Sequence, residues 1–334
     1  MPSPRFSIII PVYNRPGEMA DLMAGLDAQT LKDFELIVVE DGSTVPCREV
    51  VEAYAGKFPV RYFAQENKGR SIARNVGMEQ ARGAYLLFFD SDCILPPDYI
   101  AKLSAFLDAH PYDCFGGPDA AHPDFSPLQK AISFAMTSML TTGGIRGRAR
   151  SMERFVPRTF NMGFSREVYS RVGGFKEMFS EDIDMSTRIR NAGFSVGLYP
   201  ELPVYHKRRL SLRKFFRQVY VFGMSRISLH LLYPGSLKLV HALPALAVVI
   251  GLTLLLLGIF VSPWWLLPIG LYLAALFVSA LVTTRSLRVA LLALPASVIQ
   301  ICGYGTGFIR AWVWSILLGH GRNLEAERRM RAGK

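Results

Sequence analysis

The chain has 334 residues, half of them hydrophobic, and Lys and Arg exceed Asp and Glu by 38 to 27, a formal charge of +11. That length admits one large domain plus an appendage. The placement of the charge argues against a nucleic-acid surface, because it brackets apolar sequence. Lys207, Arg208, Arg209, Arg213, Lys214, Arg217 and Arg226 crowd before the first long apolar segment, and Arg322, Arg328, Arg329, Arg331 and Lys334 follow the last. Basic residues flanking apolar spans mark the cytoplasmic side of a membrane and attract anionic headgroups. The cysteines (Cys47, Cys93, Cys114 and Cys302) lack CxxC spacing and read as reduced thiols, not as a disulfide or zinc framework. Met1 to Arg5 runs straight into a strand-like segment with no signal peptide, so the first domain is expected to stay in the cytoplasm.

Phe6 to Val12 is a short apolar run ending at a turn, the pattern of a buried strand. A helix is expected from Glu18 to Thr30, then a strand from Phe34 to Val39 that ends in Glu40-Asp41-Gly42-Ser43. Arg48 to Lys57 reads as helix, Val60 to Phe63 as strand and Ser71 to Arg82 as helix. A fourth strand, Ala84 to Phe89, ends at Asp90. Strand and helix in alternation predict an α/β domain on a parallel sheet covered on both faces, with ligands beyond the carboxyl ends of its strands. The acidic clusters fall at those ends. Asp90-Ser91-Asp92 offers hard oxygen ligands suited to Mg²⁺ or Mn²⁺, while the blander reading is a pair of turn residues.

Residues 115–158 are less regular: Gly116-Gly117-Pro118, an apolar helix-like piece, and a Gly- and Arg-rich stretch from Thr141 to Arg150. The region reads as acceptor-facing. Asp182 to Asn191 suggests a helix, and Ser180-Glu181-Asp182-Ile183-Asp184 suits a capped N-terminus whose acids match the helix dipole. His206 follows the short run Leu202 to Tyr205 and precedes the basic cluster, where a lone histidine is otherwise a surface residue.

From His206 to Arg226 basic residues interleave with Phe215, Phe216, Val219, Tyr220 and Phe222, the pattern of a cationic helix lying in a headgroup layer. Leu237 to Val261 and Trp264 to Thr284 are spanning candidates, with Trp264 and Trp265 as interfacial anchors. Val289 to Leu318 is a poorer one, interrupted by Gly303, Gly305, Gly307 and Arg310. Three crossings would place the basic tail outside, against the positive-inside tendency. Two crossings plus an interfacial or re-entrant third segment would keep it inside. Three membrane-embedded helices are expected, with the side of the tail left open.

Five ordered motifs make the sequence resemble the inverting family-2 glycosyltransferases of GT-A fold, from about Phe6 to Arg226. They are Ser7 to Asn14; Val39-Glu40-Asp41-Gly42-Ser43; Ala73-Arg74-Asn75 with Gly77, leading to Asp90-Ser91-Asp92; Asn161-Met162-Gly163-Phe164 with Gly173-Gly174-Phe175; and Glu181-Asp182. The resemblance implies a Rossmann-like mixed-sheet catalytic domain (1–205), an interfacial helical segment (206–236), transmembrane helices (237–318) and a basic tail (319–334). It implies that Pro11, Tyr13 and Asp41 line the nucleotide-base pocket. Arg74 either approaches the donor diphosphate or makes a helix-surface salt bridge. Asp92 is the implied main metal ligand for Mn²⁺ or Mg²⁺, Asp90 touches metal or ribose, and His206 is a further ligand. Asp182 is the implied general base, with Asp184 its nearest rival. The Gln-x-x-Arg-Trp motif of the processive synthases is missing, which argues against polymer synthesis.

The expected activity is therefore transfer of a sugar, with inversion, from a nucleotide-sugar to a hydroxyl of a lipid-linked or saccharide acceptor. It would serve cell-surface glycan assembly at the cytoplasmic (inner) membrane, on a multi-pass protein whose catalytic domain faces the cytoplasm. A polyprenyl phosphate is already ionised near neutral pH and needs no base, so a retained base favours a hydroxyl acceptor. The alternatives are a polyprenyl-phosphate glycosyltransferase and a non-catalytic membrane scaffold or carbohydrate-binding protein; four intact aspartates speak against the last.

Overall fold

The computed structural model describes residues 3–120, 125–143, 155–206 and 211–321. The described chain begins β1 (Phe6–Val12), α1 (Pro16–Asp27), β2 (Phe34–Asp41), α2 (Arg48–Glu52), β3 (Val60–Gln65), α3 (Arg70–Gln80) and β4 (Tyr85–Phe88). It continues β5 (Cys93–Ile94), α4 (Tyr99–Ala109), β6 (Cys114–Gly116), β7 (Asp119–Ala120), α5 (Pro127–Thr137) and α6 (Met139–Thr142). There follow β8 (Met162–Ser165), α7 (Arg166–Val172), α8 (Glu181–Asn191), β9 (Val196–Leu198), β10 (Val204–His206) and α9 (Leu212–Leu232). The chain closes with α10 (Leu239–Phe260), a 3-10 turn (Pro263–Leu266), α11 (Leu267–Thr284) and α12 (Leu287–Trp312). Two compact units result: one holds β1 to β7 and β8 to β10, the other α5, α6 and α9 to α12.

Among the described residues, seven strands of the first unit form one sheet in the order β3-β2-β1-β4-β8-β6-β9. Strands β1 to β4 are parallel, as their alternation with helices requires; β8 runs antiparallel to both β4 and β6, so the sheet is mixed. Side chains alternate between faces along a strand. Ile8 and Ile10 of β1 and Leu36 and Val38 of β2 meet Met19, Leu22, Met23 and Leu26 of α1 on one side. Ile9, Ile37 and Val39 meet Ala73 and Met78 of α3 and Met185 and Ile189 of α8 on the other. Near-continuous apolar runs in the sequence are thus strands buried on both faces. A second sheet, β5-β10-β7, lies at the ends of the chain segments that follow β4 and β6.

Residues 127–142 depart from the sequence expectation that placed them in the catalytic domain. Helix α5 is buried on several sides: Ala131 and Phe134 pack with Leu276, Ala280 and Val289, while Ile132, Ala135 and Met136 pack with Phe215, Val219 and Ala296. A helix with apolar residues buried on two sides joins the apolar helices. The Gly- and Arg-rich stretch lies largely outside the described residues, as do the basic tail and the segment 207–210.

Three stretches, Leu239–Phe260, Pro263–Thr284 and Leu287–Leu317, are long and apolar enough to cross a membrane. The glycines that weakened the last as a span are contact points. A Cβ on Gly307 would stand 2.1 Å from the Tyr220 carbonyl oxygen, one on Gly223 2.0 Å from that of Tyr304, and one on Gly305 2.6 Å from that of Pro244. Small residues let helix backbones approach this closely. Helix α9 therefore does not lie alone: it buries Phe215, Val219, Gly223 and Ile227. Gly307→Val should lower the thermal midpoint in detergent micelles, by about 1–3 kcal/mol of overpacking strain. Gly251→Ala, where an added Cβ meets nothing within 4 Å, should leave the midpoint unchanged.

Candidate functional site

The parallel strands β2, β1 and β4 end side by side. Val12 pairs with Glu40 and Ile9 with Phe88, so Tyr13 just after β1, Asp41 at the last position of β2 and Asp90 two residues beyond β4 come to one rim. Pro11 is half-buried in β1 and Tyr13 is exposed, its side of the rim open to a stacking partner. Asn14 sits at φ 53° in the left-handed region, which asparagine tolerates. Its Oδ1 accepts from Thr44 N–H at 2.8 Å and Val45 N–H at 3.0 Å, and its own N–H donates to Ser43 Oγ at 2.7 Å. The loop after β1 is thereby tied to the loop after β2. Buried Glu40 serves the same loop, accepting from Cys47 N–H and Tyr62 O–H.

Asp41 is buried and accepts three hydrogen bonds: from Gln65 Nε2 at 2.7 Å, Lys68 N–H at 2.9 Å and Gly69 N–H at 2.9 Å. A carboxylate has about four acceptor positions, so one stays open to a ligand donor. The same bonds fix the entry to α3, where Gly69 adopts φ 93°. From that first turn Arg70 reaches Glu181, with Nε 2.8 Å from Oε1. One turn on, Arg74 is fully buried, donating from one terminal nitrogen to Glu181 at 2.9 Å and from the other to Asp90 at 2.7 Å. Its guanidinium also stands over the Phe175 ring. Neither expectation for Arg74 matches this position: it is not a surface salt bridge, and a side chain with 0% exposure offers no face to a diphosphate.

The chain runs from Asp41 through the α3 entry, Arg70, Glu181 and Arg74 to Asp90, and Asp182 follows Glu181 at the start of α8. Its carboxylate accepts from Ile183 N–H at 2.8 Å and lies 3.4 Å from an Arg158 guanidinium nitrogen. The rival Asp184 is fully buried, paired at 2.8 Å with Arg188 one turn along the same helix and at 3.3 Å with Lys176. Burial alone would push Glu181 up; Arg70 and Arg74 outweigh it and hold the carboxyl below its ordinary range.

Asp90 keeps 29% of its side chain exposed, and Asp92 ion-pairs with Arg15. Burial lowers the Arg15 pKa, but Asp92 more than offsets it and the net shift is upward. Among the described residues no group of three or more His, Cys, Asp and Glu side chains is disposed to hold a metal ion. Two carboxylates on one turn nevertheless fit a hard cation that takes its remaining oxygens from a phosphorylated ligand and water. His206 ends β10 with its backbone paired to Cys93, next in sequence to Asp92; its side chain lies outside the described residues.

Sequence reasoning missed Arg15, Arg70 and Arg158. Lone arginines carry no spacing signal, and their carboxylate partners are distant in the chain. The remaining motif residues act as stitches. Asn75 exchanges two hydrogen bonds with Phe175 at 2.8 and 3.0 Å, and Asn161 donates to the Leu202 carbonyl at 2.9 Å. Removing one partner of a buried ion pair costs about 3–5 kcal/mol, so Glu181→Gln should unfold well below the parent protein. Because the Glu181 pKa is depressed on folding, its contribution is complete above the ordinary glutamate range and is lost as pH falls through the depressed value. Thermal melts from neutral pH to about pH 3 should therefore show a shallower acid slope for Glu181→Gln than for the parent.

Residues 7–173, half of the chain, match the sequence profile of Glycosyl transferase family 2. Glycosyltransferase AglE of Haloferax volcanii is 25% identical over 248 residues, covering 70% of this chain and 79% of that protein. An uncharacterized glycosyltransferase of Rickettsia felis is 36% identical over 104 residues, 31% of this chain and 17% of that one. The chain spans less than a third of the length of several curated relatives that it matches. Among solved structures, the mannosyltransferase PcManGT from Pyrobaculum calidifontis, in complex with GDP-Man and Mn²⁺, superposes with a TM-score of 0.56 at 18% identity. It covers 94% of this chain and 88% of that one, a likeness of fold. The chain, with its GT-A-like mixed sheet, belongs to glycosyltransferase family 2.

Proposed function

We propose that this glycosyltransferase moves a sugar from a nucleoside-diphosphate-sugar to a hydroxyl of a lipid-linked saccharide, with inversion and with a divalent cation, at the cytoplasmic face of a membrane. The observation that carries the reading is the continuous run of contacts from Asp41 through Arg70, Glu181 and Arg74 to Asp90, which gathers carboxylates from three distant parts of the chain. Tyr13 and Pro11 would flank the base, and the open acceptor position of Asp41 would take a base N–H. Asp90 and Asp92, with His206 as a further ligand, would hold Mn²⁺ or Mg²⁺, whose bound charge offsets that of a departing diphosphate. That PcManGT, of like fold, was solved in complex with GDP-Man and Mn²⁺ supports a nucleotide-sugar donor and a divalent metal.

Asp182 accepts the acceptor's proton as its oxygen bonds to the anomeric carbon, and the carbon–oxygen bond to the diphosphate breaks with its electron pair leaving on that group. Arg158 orients the Asp182 carboxylate from 3.4 Å. Arg74 is a positioning residue: it holds Asp90 and the start of α8 at one separation. A sugar hydroxyl needs this base, whereas a phosphate acceptor does not. The apolar helices keep the enzyme at the surface where a lipid-borne acceptor lies.

Asp182→Asn should retain nucleotide-sugar binding in a thermal-shift panel with Mn²⁺ yet lose roughly 10²–10⁴-fold in transfer rate; full activity would remove Asp182 as base. Asp92→Ala should abolish the Mn²⁺-dependent part of the donor-induced shift, read relative to the variant's own melt without ligands, which loss of the Arg15 partner lowers. Unchanged Mn²⁺ affinity in His206→Ala would strike it from the ligand set.

A further inference from the structure

We infer that α12 does not cross the membrane: it lies along the bilayer surface on the face from which α10 enters, so that α10 and α11 are the crossings. The inference concerns the helical unit and does not depend on the reaction. Its basis is a comparison of depths. Helices α10 and α11 form an open hairpin: they turn back at 261–266, where Gly258 packs against Leu266, and meet little beyond that turn. Ala245 lies 17 residues before Ser262 and Ala280 lies 18 after it, so the two sit at matching depth on the two arms. Ala280 shares a core with Val289, Ala290 and Ala293 of α12, whereas Ala245 shares one with Phe308, and Pro244 and Val248 lie against Gly305. Between Ala290 and Gly305 the helix advances about 22 Å, yet its neighbours stay at one depth. An upright third helix would have met α10 near its own start. A helix bridging the feet of the hairpin meets it where α12 does.

Length and charge agree. The stretch Leu287–Leu317 has 31 residues, about 46 Å of helix against an apolar layer of about 30 Å. The share buried within the protein is 39%, against 11% for each of the other two; α5 and α9 line its flank. The opposite flank, with Leu287, Leu291 and Val298 exposed, is an apolar stripe for acyl chains, and Trp312 and Trp314 are exposed toward its end. Arg310 is exposed and donates to Tyr220 O–H at 3.0 Å. A guanidinium is costly deep in hydrocarbon and cheap at the headgroups. Lys238 at the foot of α10 and Arg285 and Arg288 at the foot of α11 stand on this same face, while the turn at 261–266 has no charged residue. The bound partner of the α9–α12 surface is thus a bilayer rich in anionic headgroups.

The test is side-specific labelling of the full chain with a membrane-impermeant maleimide, in intact cells and in inside-out vesicles. Single variants Ser262→Cys and Leu318→Cys are each measured against the parent's background. Ser262→Cys should label in intact cells and Leu318→Cys only in inside-out vesicles. Labelling of both from the same side would overturn the inference and make α12 a third crossing. Green fluorescent protein fused after Lys334 gives a second reading that needs no cysteine. Fluorescence equal to that of an amino-terminal fusion is expected, and its loss in a fully expressed protein would overturn the inference.

Discussion

The site depends on one buried guanidinium. Arg74 comes from the second turn of α3 and bonds both Asp90, at the end of a strand, and buried Glu181, at the start of α8. Burial without a cation would favour the protonated form of Glu181. Arg74, with Arg70 on the outer side of Glu181, holds that carboxyl below its ordinary range and ties strand end to helix start. Phe175 packs against the guanidinium's face and is itself tied to Asn75, one residue after Arg74. The acid-rich start of α8 is thus oriented by an arginine and an asparagine of one motif and a ring from another.

This changes the meaning of the motif residues. Most do not face a ligand. Asn14 ties two loops together, Asn75 holds the Gly173-Gly174-Phe175 turn, and Asn161 bonds to Leu202. A Cβ on Gly174 would strike the Asn75 side chain at 2.6 Å, and one on Gly117 the Leu202 carbonyl at 1.8 Å. These contacts preorganise the rim, and rigid support is what lets a few carboxylates act at fixed separations. The residues left with open coordination or acceptor capacity are few, and Asp41 and Asp90 are among them.

In the helical unit the determining feature is close backbone approach. Gly223, Gly303 and Gly307 let α9 and α12 meet with almost no side chain between them, and α5 fills the remaining side. Glycines that look like flaws in a spanning segment are the reason this helix has a protein neighbour along one flank. The arrangement leaves a continuous apolar stripe on the other flank and basic residues at the ends, the composition of a surface-seated helix.

Much of this was legible in the sequence. The runs at Phe6 to Val12 and Phe34 to Asp41, the acids at strand ends, and the apolar segments after Leu237 are local signals of burial, period and length, and they determined the α/β class, the rim and the membrane-length helices. What only the tertiary structure decided involves partners distant in the chain. That Arg74 is buried between Asp90 and Glu181, that Arg15 and Arg158 reach Asp92 and Asp182, and that α5 joins the apolar helices all depend on packing across tens to hundreds of residues. Periodicity reports how a segment meets solvent, not which segment it meets, so pairings of this kind leave no mark until the chain is folded.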